Sequence, residues 1–187
     1  MQVSFDSPDS LLASFSSSEE SGRLIFITGP MGAGKTRWCQ EFIDSAACLG
    51  VRAGGVLSPA VFQDGMKVAI DLVDLHSNTR RCLAVRKSKE TGIRATDNWL
   101  FDEKTLKWGN TVLASSWNSQ LIIVDELGPL ELNRGIGLIN VFRLVASRRY
   151  KLAIVTMRPA LLDPWLKLWH WGQVIAIEPE HQPEVAV

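Results

Sequence analysis

Cysteine is scarce in this chain of 187 residues, and the few cysteines form no pattern of a known kind. Cys39, Cys48 and Cys82 are odd in number and contain no CxxC pair, which argues against a disulfide framework and against a zinc site. No apolar run approaches the roughly 18 residues that a membrane-spanning helix needs. We therefore expect a protein of the reducing cytoplasm that does not enter a membrane.

An excess of charge of either sign is also missing. Twenty basic residues cancel twenty acidic residues, so the formal net charge is zero. A chain without net charge has no overall field that would attract nucleic acid or an anionic membrane surface. We expect neither of these as a partner.

The two ends of the chain differ in composition from its middle. Residues 1–21 are rich in serine and carry acidic residues but no lysine or arginine, which argues against a signal peptide and predicts a flexible acidic arm. Residues 179–187 form a polar tail that is interrupted by proline. The intervening residues 22–178 are long enough for a single domain with one core.

The first half of this domain starts with a strand, a glycine-rich turn and a helix. Residues 24–28 are apolar and predict a buried strand, and the helix is predicted from Lys35 to Leu49. Between Gly54 and Val85 polar and apolar residues alternate, with turn signals at Asp64-Gly65 and near Ser77-Asn78. We interpret this region as an antiparallel β meander that is inserted after the first βα unit.

Strands and helices alternate again in the second half. After a polar loop over residues 86–98 we predict a short strand at 99–101 and a helix that ends near Trp117. A strand at 121–124 and a helix over 134–149 follow. The last elements are a strand in KLAIVT, a helix that starts at Pro159, and a strand in QVIAIE. This order predicts an α/β fold with a largely parallel sheet that is flanked by helices.

A complete phosphate-loop motif follows the first predicted strand. GPMGAGKT, residues 29–36, matches the pattern GxxxxGK[ST]. Glycines let backbone amides approach a phosphate chain, the next helix presents its positive end, Lys35 reaches the terminal phosphates, and the Thr36 hydroxyl binds Mg²⁺. The residues that we assign to nucleotide binding are Gly29, Pro30, Met31, Gly32, Ala33, Gly34, Lys35, Thr36 and Arg37.

The stretch LIIVDELGPLEL, residues 121–132, puts two carboxylates directly after an apolar strand. Ligands of open α/β sheets collect beyond the carboxyl ends of the strands, so we predict that Asp125 holds Mg²⁺ together with Thr36. Glu126 is then the candidate that orients or deprotonates a water molecule attacking the γ-phosphorus, with Glu131 as the next candidate. The alternative is that Glu126 caps a helix or pairs with an arginine.

These motifs together resemble the THEP1 family of nucleoside-triphosphatases. The resemblance rests on GPMGAGKT, on GGVLSP, on the insert ending DLVDLHS, and above all on the signature Asp-Glu-x-Gly-x-x-Glu at Asp125, Glu126, Gly128 and Glu131. It extends over residues 24 to 177 and implies a P-loop NTPase fold with Mg²⁺-dependent hydrolysis of ATP, GTP and other nucleoside triphosphates. The serine-rich N-terminal arm and the tryptophan-rich C-terminal end depart from the family pattern, which suggests a divergent member.

Three further groups of residues have both a functional and a structural interpretation. Arg158 follows KLAIVT at the same edge of the sheet as the two carboxylates, so it is either an arginine finger or a surface arginine. The basic residues between 80 and 94 either close over a nucleotide, bind an acidic partner, or form a solvated loop, which we prefer. Trp165, Trp169 and Trp171 either stack on a base, form a partner surface, or pack in the core, and the helical spacing of the first two favours the core. We place Lys35, Glu126 and Arg158 in catalysis.

Three functions are compatible with these residues. The first, which we prefer, is Mg²⁺-dependent hydrolysis of ATP, GTP or other nucleoside triphosphates. The second is a P-loop kinase that passes the γ-phosphate to a small acceptor, and the third is a nucleotide-dependent switch that binds a protein partner. All three need the same phosphate loop. The sequence does not identify the preferred base, the oligomeric state or the pathway.

Overall fold

The computed structural model describes residues 8–17, 20–87 and 98–178, and a nine-stranded sheet forms the centre of this part of the chain. The strands are β1 (Arg23–Thr28), β2 (Ala53–Leu57), β3 (Ala60–Gln63), β4 (Met66–Asp74), β5 (Arg80–Arg86), β6 (Trp99–Phe101), β7 (Leu121–Leu127), β8 (Leu152–Met157) and β9 (Gln173–Ala176). The helices are α1 (Pro8–Ser17), α2 (Lys35–Cys48), α3 (Glu103–Ser115), α4 (Pro129–Arg134), α5 (Asn140–Ser147) and α6 (Leu162–Leu168), with 3₁₀ turns at Ser116–Asn118 and Pro159–Leu161.

Five strands form the parallel part of the sheet, in the spatial order β2-β7-β8-β1-β9. Their apolar runs are continuous because helices cover both faces, and every residue from Leu24 to Thr28 in β1 is buried. On one face α3, α5 and α6 pack on a cluster that includes Phe26 and Val155, and on the other face α1 and α2 pack on a cluster that includes Ile25 and Ile154. The α/β class with a largely parallel sheet is confirmed.

The antiparallel meander comprises β3 to β6 and extends the sheet beyond β2. The turn predicted at Asp64-Gly65 joins β3 to β4, and both residues have positive φ, at 49° and 74°. The start of the meander differs from the prediction, because β2 pairs in parallel with β7. All five residues of β2 are buried, which explains why β2 lacks alternation, and Gly55 lies so close to the Ile123 backbone that a side chain there would collide with it.

The flexible arm that we predicted over residues 1–21 is wrong for residues 8–17, which form α1. Leu11, Leu12 and Phe15 are buried in the cluster beside α2. The Lys151 ammonium lies 4.9 Å from the centroid of the Phe15 ring. The prediction relied on the high serine content and did not consider that these three apolar residues lie on one face of a helix. Residues 1–7 and the tail 179–187 lie outside the described part of the chain, so the rest of these two predictions stays a prediction.

The single helix predicted over residues 134–149 is also wrong, because α4 ends at Arg134 and α5 begins at Asn140. Gly135 and Gly137 interrupt the helix with positive φ of 60° and 90°. The Glu131 carboxylate holds this turn, since its two oxygens accept hydrogen bonds from the amides of Gly128 and Leu138, each at 2.9 Å.

Trp165 in α6 and Trp169 directly after α6 belong to the core, as their spacing predicted. Trp165 and Trp169 are 0% and 2% exposed, and their rings stack with centroids 5.0 Å apart. Neither ring is therefore accessible to a nucleotide base.

Among the helices of the described ranges, none has the length and apolar character that would be needed to span a bilayer.

Candidate active site

The phosphate loop lies between β1 and α2, at the carboxyl end of the parallel strands. Gly32 and Gly34 have φ of 84° and 92°, a region that glycine enters without a steric penalty. Gly34 provides no side-chain cap for α2, so the first amides of that helix face the loop. The Lys35 ammonium is buried and donates hydrogen bonds to the carbonyls of Gly29 and Pro30, at 2.9 and 3.1 Å. The loop is thus folded around its own lysine.

The other residues assigned to nucleotide binding divide by exposure. Pro30, Met31 and Gly32 are exposed at the tip of the loop, whereas Ala33 is buried beneath it. Thr36 is half-buried in the first turn of α2. Arg37 is exposed, and its Nε lies 3.7 Å from a carboxylate oxygen of Glu41 one turn further along α2.

Asp125 is almost completely buried, with 1% exposure, and lies inside β7, which extends to Leu127 and so beyond the strand predicted at 121–124. Because β7 lies between β2 and β8, both neighbours supply donors to its carboxylate: the Thr156 hydroxyl donates at 2.6 Å and the Ser58 amide at 3.1 Å. The Ser58 hydroxyl also donates to the Asp125 carbonyl. Burial raises the pKa of Asp125, while the hydrogen bonds from Thr156, Ser58 and Thr36 oppose that rise. The contact with Thr36 joins the phosphate loop to the second motif.

Asp125 and Thr36 fit a Mg²⁺ ion in their chemistry, since Mg²⁺ prefers hard oxygen ligands and is commonly held by one or two side chains. Its remaining ligands would be phosphate oxygens and water. In the described ranges there is no cluster of three or more His, Cys, Asp or Glu that could hold a metal without such help.

Glu126 and Arg158 form an ion pair at the same edge of the sheet. The Nε atom of Arg158 donates to Oε1 of Glu126 at 3.1 Å, and the two side chains are 53% and 34% exposed. Asp125 is buried while Glu126 stays accessible, and the pairing of β7 with β8 shifts register between Val124 and Leu127, around these two residues. The arginine partner that we kept as a structural alternative for Glu126 is thus present: it is Arg158, for which both the arginine finger and the surface arginine stay predictions.

Glu131, the next candidate base, has a structural environment. It is 5% exposed, and both of its carboxylate oxygens already accept backbone hydrogen bonds. Burial raises its pKa, and the amides of Leu138 and Gly128 oppose the rise. This carboxylate shapes the turn after α4, so Glu126 is the better candidate base of the two.

The predicted basic segment over residues 80–94 is not one loop. Arg80 and Arg81 belong to β5, where Arg80 lies 3.1 Å from Asp71 and the guanidinium of Arg81 lies 4.5 Å from the centroid of the Trp108 ring. These two arginines, like Arg86 at the end of β5, are parts of the sheet, so neither the closing segment nor the solvated loop describes them. Residues 88–97 lie outside the described ranges, where the prediction is neither supported nor contradicted.

Three residues at the site were missed by sequence reasoning. Ser58 and Thr156 follow apolar strand residues, and a polar residue at such a strand end is the signal that could have identified them. Lys67 stands in β4, far from both motifs in sequence, and its position depends on how the meander bends. No local pattern in the sequence indicates it.

The fold and the site together define a class: a P-loop protein in which a strand-end aspartate faces the phosphate loop. The family model that matches this chain is described as NTPase and covers residues 24–178. The chain therefore belongs to this family, the THEP1-type nucleoside-triphosphatases, and the resemblance inferred from its motifs is confirmed.

Relatives and a solved structure agree with this membership. The nucleoside-triphosphatase THEP1 of Archaeoglobus fulgidus is 32% identical over 141 residues, which are 74% of this chain and 81% of the relative. The nucleoside-triphosphatase THEP1 of Caldivirga maquilingensis is 29% identical over 130 residues, 70% of this chain and 73% of the relative. The solution structure of a human cancer-related nucleoside triphosphatase matches with a TM-score of 0.64 at 24% identity, over 84% of this chain and 90% of that one. That structural likeness supports the fold.

Proposed function

We propose that this protein is a Mg²⁺-dependent nucleoside-triphosphatase that converts ATP, GTP and other nucleoside triphosphates to the diphosphate and inorganic phosphate. The observation that carries the proposal is that four groups lie at one edge of the sheet. They are the phosphate loop, the buried carboxylate of Asp125, the accessible carboxylate of Glu126, and Arg158, which pairs with Glu126. Family membership supports the same reaction class.

Lys35, Thr36 and Asp125 would bind the triphosphate end of the nucleotide. The Lys35 ammonium would exchange its bonds to loop carbonyls for bonds to phosphate oxygens. Thr36 and Asp125 would hold Mg²⁺, with Thr156 and Ser58 fixing the orientation of the Asp125 carboxylate. When bound, Mg²⁺ supplies positive charge to the phosphate oxygens of the substrate.

Glu126 and Arg158 would act on the chemical step. A water oxygen attacks the γ-phosphorus, the bond from that phosphorus to the bridging oxygen breaks, and the diphosphate leaves with the electron pair. Glu126 is accessible enough to orient this water and to accept its proton. Arg158 would then donate to the equatorial oxygens, where charge is spread in the transition state. Its present bond to Glu126 keeps the guanidinium at this edge.

The test is a phosphate-release assay with ATP, GTP, CTP and UTP, each with Mg²⁺ and with EDTA. We expect Mg²⁺-dependent release of one phosphate per triphosphate and formation of the matching diphosphate. A parallel incubation with labelled γ-phosphate and a mixture of small metabolites measures transfer to acceptors. Label that appears in an organic acceptor faster than in free phosphate would contradict the proposal and indicate a kinase.

A further inference from the structure

The β3–β4 hairpin extends past the end of the parallel sheet on the side of the phosphate loop. β4 pairs with β2 at Val73–Leu57 and Asp74–Val56, and Leu57 is the last residue of β2. Because β4 runs antiparallel to β2, the residues of β4 before Val73 lie beyond the carboxyl end of β2. The phosphate loop and the carboxylates lie at that same end. The hairpin therefore borders the active site.

Two irregularities bend this part of the sheet. The register of β3 with β4 shifts between Val61 and Phe62, and the register of β4 with β5 shifts between Ile70 and Asp71. Such bulges bend a strand and increase its twist. Ala69 and Lys67 pair with the consecutive residues Val61 and Phe62 of β3, so the extra residue of this bulge lies directly beside Lys67.

Lys67, the second residue of β4, stands at this bend with a defined neighbour. Its ammonium lies 5.2 Å from the centroid of the Trp99 ring in β6, and both residues are half-buried. A cation over an aromatic face is attracted by the negative charge density of the ring. The long side chain is therefore directed by the meander and is not free in solvent.

The electrostatic surroundings of Lys67 are those of the active site. Burial lowers the pKa of Lys67, and the charges that act on it are those of Glu126, Arg158, Asp125 and Lys35. These are the residues to which we assign catalysis, metal binding and phosphate binding. Lys67 therefore adds a positive charge to the site from the meander side.

We propose that Lys67 is a further substrate-binding residue, whose ammonium contacts the terminal phosphate of the bound nucleoside triphosphate. The inference rests on the proposed function, since it concerns the same phosphate site. Glu126 already has Arg158 as an ion-pair partner. A triphosphate brings several negative charges, and a lysine ammonium is a compact charge that suits single phosphate oxygens. A contact to the terminal phosphate would favour the triphosphate over the diphosphate product.

The test compares the affinities of Lys67→Met for a non-hydrolysable ATP analogue and for ADP, both with Mg²⁺, by calorimetry. Methionine keeps the apolar stem beside Trp99 and removes the charge. We expect analogue affinity to fall about tenfold or more, the usual result of removing a charged hydrogen bond, and ADP affinity to change less than threefold. Lys107→Met, at an exposed lysine of α3, is the matched control and should change neither affinity.

The outcomes separate this inference from the proposed function. Equal changes for the analogue and ADP, or no change for either, would overturn the role of Lys67. If Lys67→Met does not fold, Lys67→Gln is titrated in the same way and judged by the same ratio. Lys35→Ala is measured in parallel. If this variant loses analogue binding, the proposed function is supported whatever the result for Lys67. If its analogue binding is unchanged, the proposed function itself is contradicted.

Discussion

Replacing Glu126 by glutamine is the substitution that best separates nucleotide binding from hydrolysis. The Glu126 carboxylate accepts one hydrogen bond, from Arg158 at 3.1 Å, and both side chains are partly exposed. Glutamine keeps the side-chain length and an oxygen acceptor for Arg158. An exposed ion pair of this kind contributes about 0 to 1 kcal/mol to stability, so Glu126→Gln should unfold at nearly the same denaturant concentration as the wild type.

The effect on turnover should be much larger. A positioned general base contributes about 10² to 10⁴ in rate, which corresponds to roughly 3 to 5 kcal/mol of barrier. Glutamine cannot accept the proton of the attacking water, whereas the phosphate contacts that we propose for Lys35 and Thr36 are not altered by this substitution. We therefore expect kcat to fall by at least about a hundredfold while the affinity for the triphosphate stays within about threefold.

The assay is phosphate release at saturating ATP and Mg²⁺, with calorimetry of a non-hydrolysable analogue. Glu103→Gln, an exposed glutamate in the first turn of α3, is the control for the chemical change itself and should behave as the wild type. If Glu126→Gln hydrolyses ATP within about threefold of the wild-type rate, the reasoning is refuted and Glu126 is an ion-pair residue. Glu131 would not replace it, because both of its oxygens hold the backbone.

Three more predictions concern binding, metal and stability. Lys35→Ala should weaken ATP binding at least tenfold, about 1.4 kcal/mol, in calorimetry of a folded variant, and unchanged affinity would contradict the phosphate loop. In EDTA, the stability advantage of Asp125→Asn over the wild type should grow as the pH rises from about 4, because the raised pKa of Asp125 makes the wild type lose stability over that window. Urea unfolding at pH 5 and pH 8 measures the difference in the free energy of unfolding between the two proteins, and a difference that does not grow would contradict this prediction. Phe15→Ala should cost about 3 kcal/mol in urea unfolding, with exposed Ser16→Ala as control, and a loss below about 0.5 kcal/mol would mean that α1 is not anchored.

Local sequence patterns predicted those parts of the fold that neighbouring residues determine. The run Leu24–Thr28 followed by GPMGAGKT predicted β1, the loop and α2, because burial on both faces and the glycine spacing are local requirements. The Asp64-Gly65 turn was predicted for the same reason, since only a few residue types adopt two successive positive φ values.

The errors arose where distant residues decide the structure. Helix α1 forms because Leu11, Leu12 and Phe15 find an apolar surface beside α2, and a serine-rich composition does not reveal that surface. The break between α4 and α5 depends on the Glu131 carboxylate, which captures the Leu138 amide seven residues further on. In both cases tertiary contacts override the local propensity.

The sequence indicated which residues lie together at the candidate site, but it did not indicate the contacts between them. Asp125, Glu126 and Arg158 were identified from strand ends, because parallel strands bring their carboxyl ends to one edge. The ion pair between Glu126 and Arg158 could not be deduced, since it joins side chains that are 32 positions apart in the sequence. Lys67 was missed because it lies outside both motifs, and only the antiparallel pairing of β4 with β2 brings the start of β4 to this end of the sheet.

The burial of Asp125 connects the stability of the fold to binding at the site. Burial raises its pKa even though Thr156, Ser58 and Thr36 act in the opposite direction, so the ionised carboxylate is less favourable inside the protein than in water. A structural role alone would be served better by a neutral residue that makes the same hydrogen bonds. A cation beside Asp125 stabilises the ionised form, and any ligand that binds only the folded chain raises its stability further. The ionised Asp125 carboxylate thus costs stability in the free protein, and Mg²⁺ with nucleotide would offset that cost in the bound protein. This is the arrangement expected of a residue whose role is to bind a ligand.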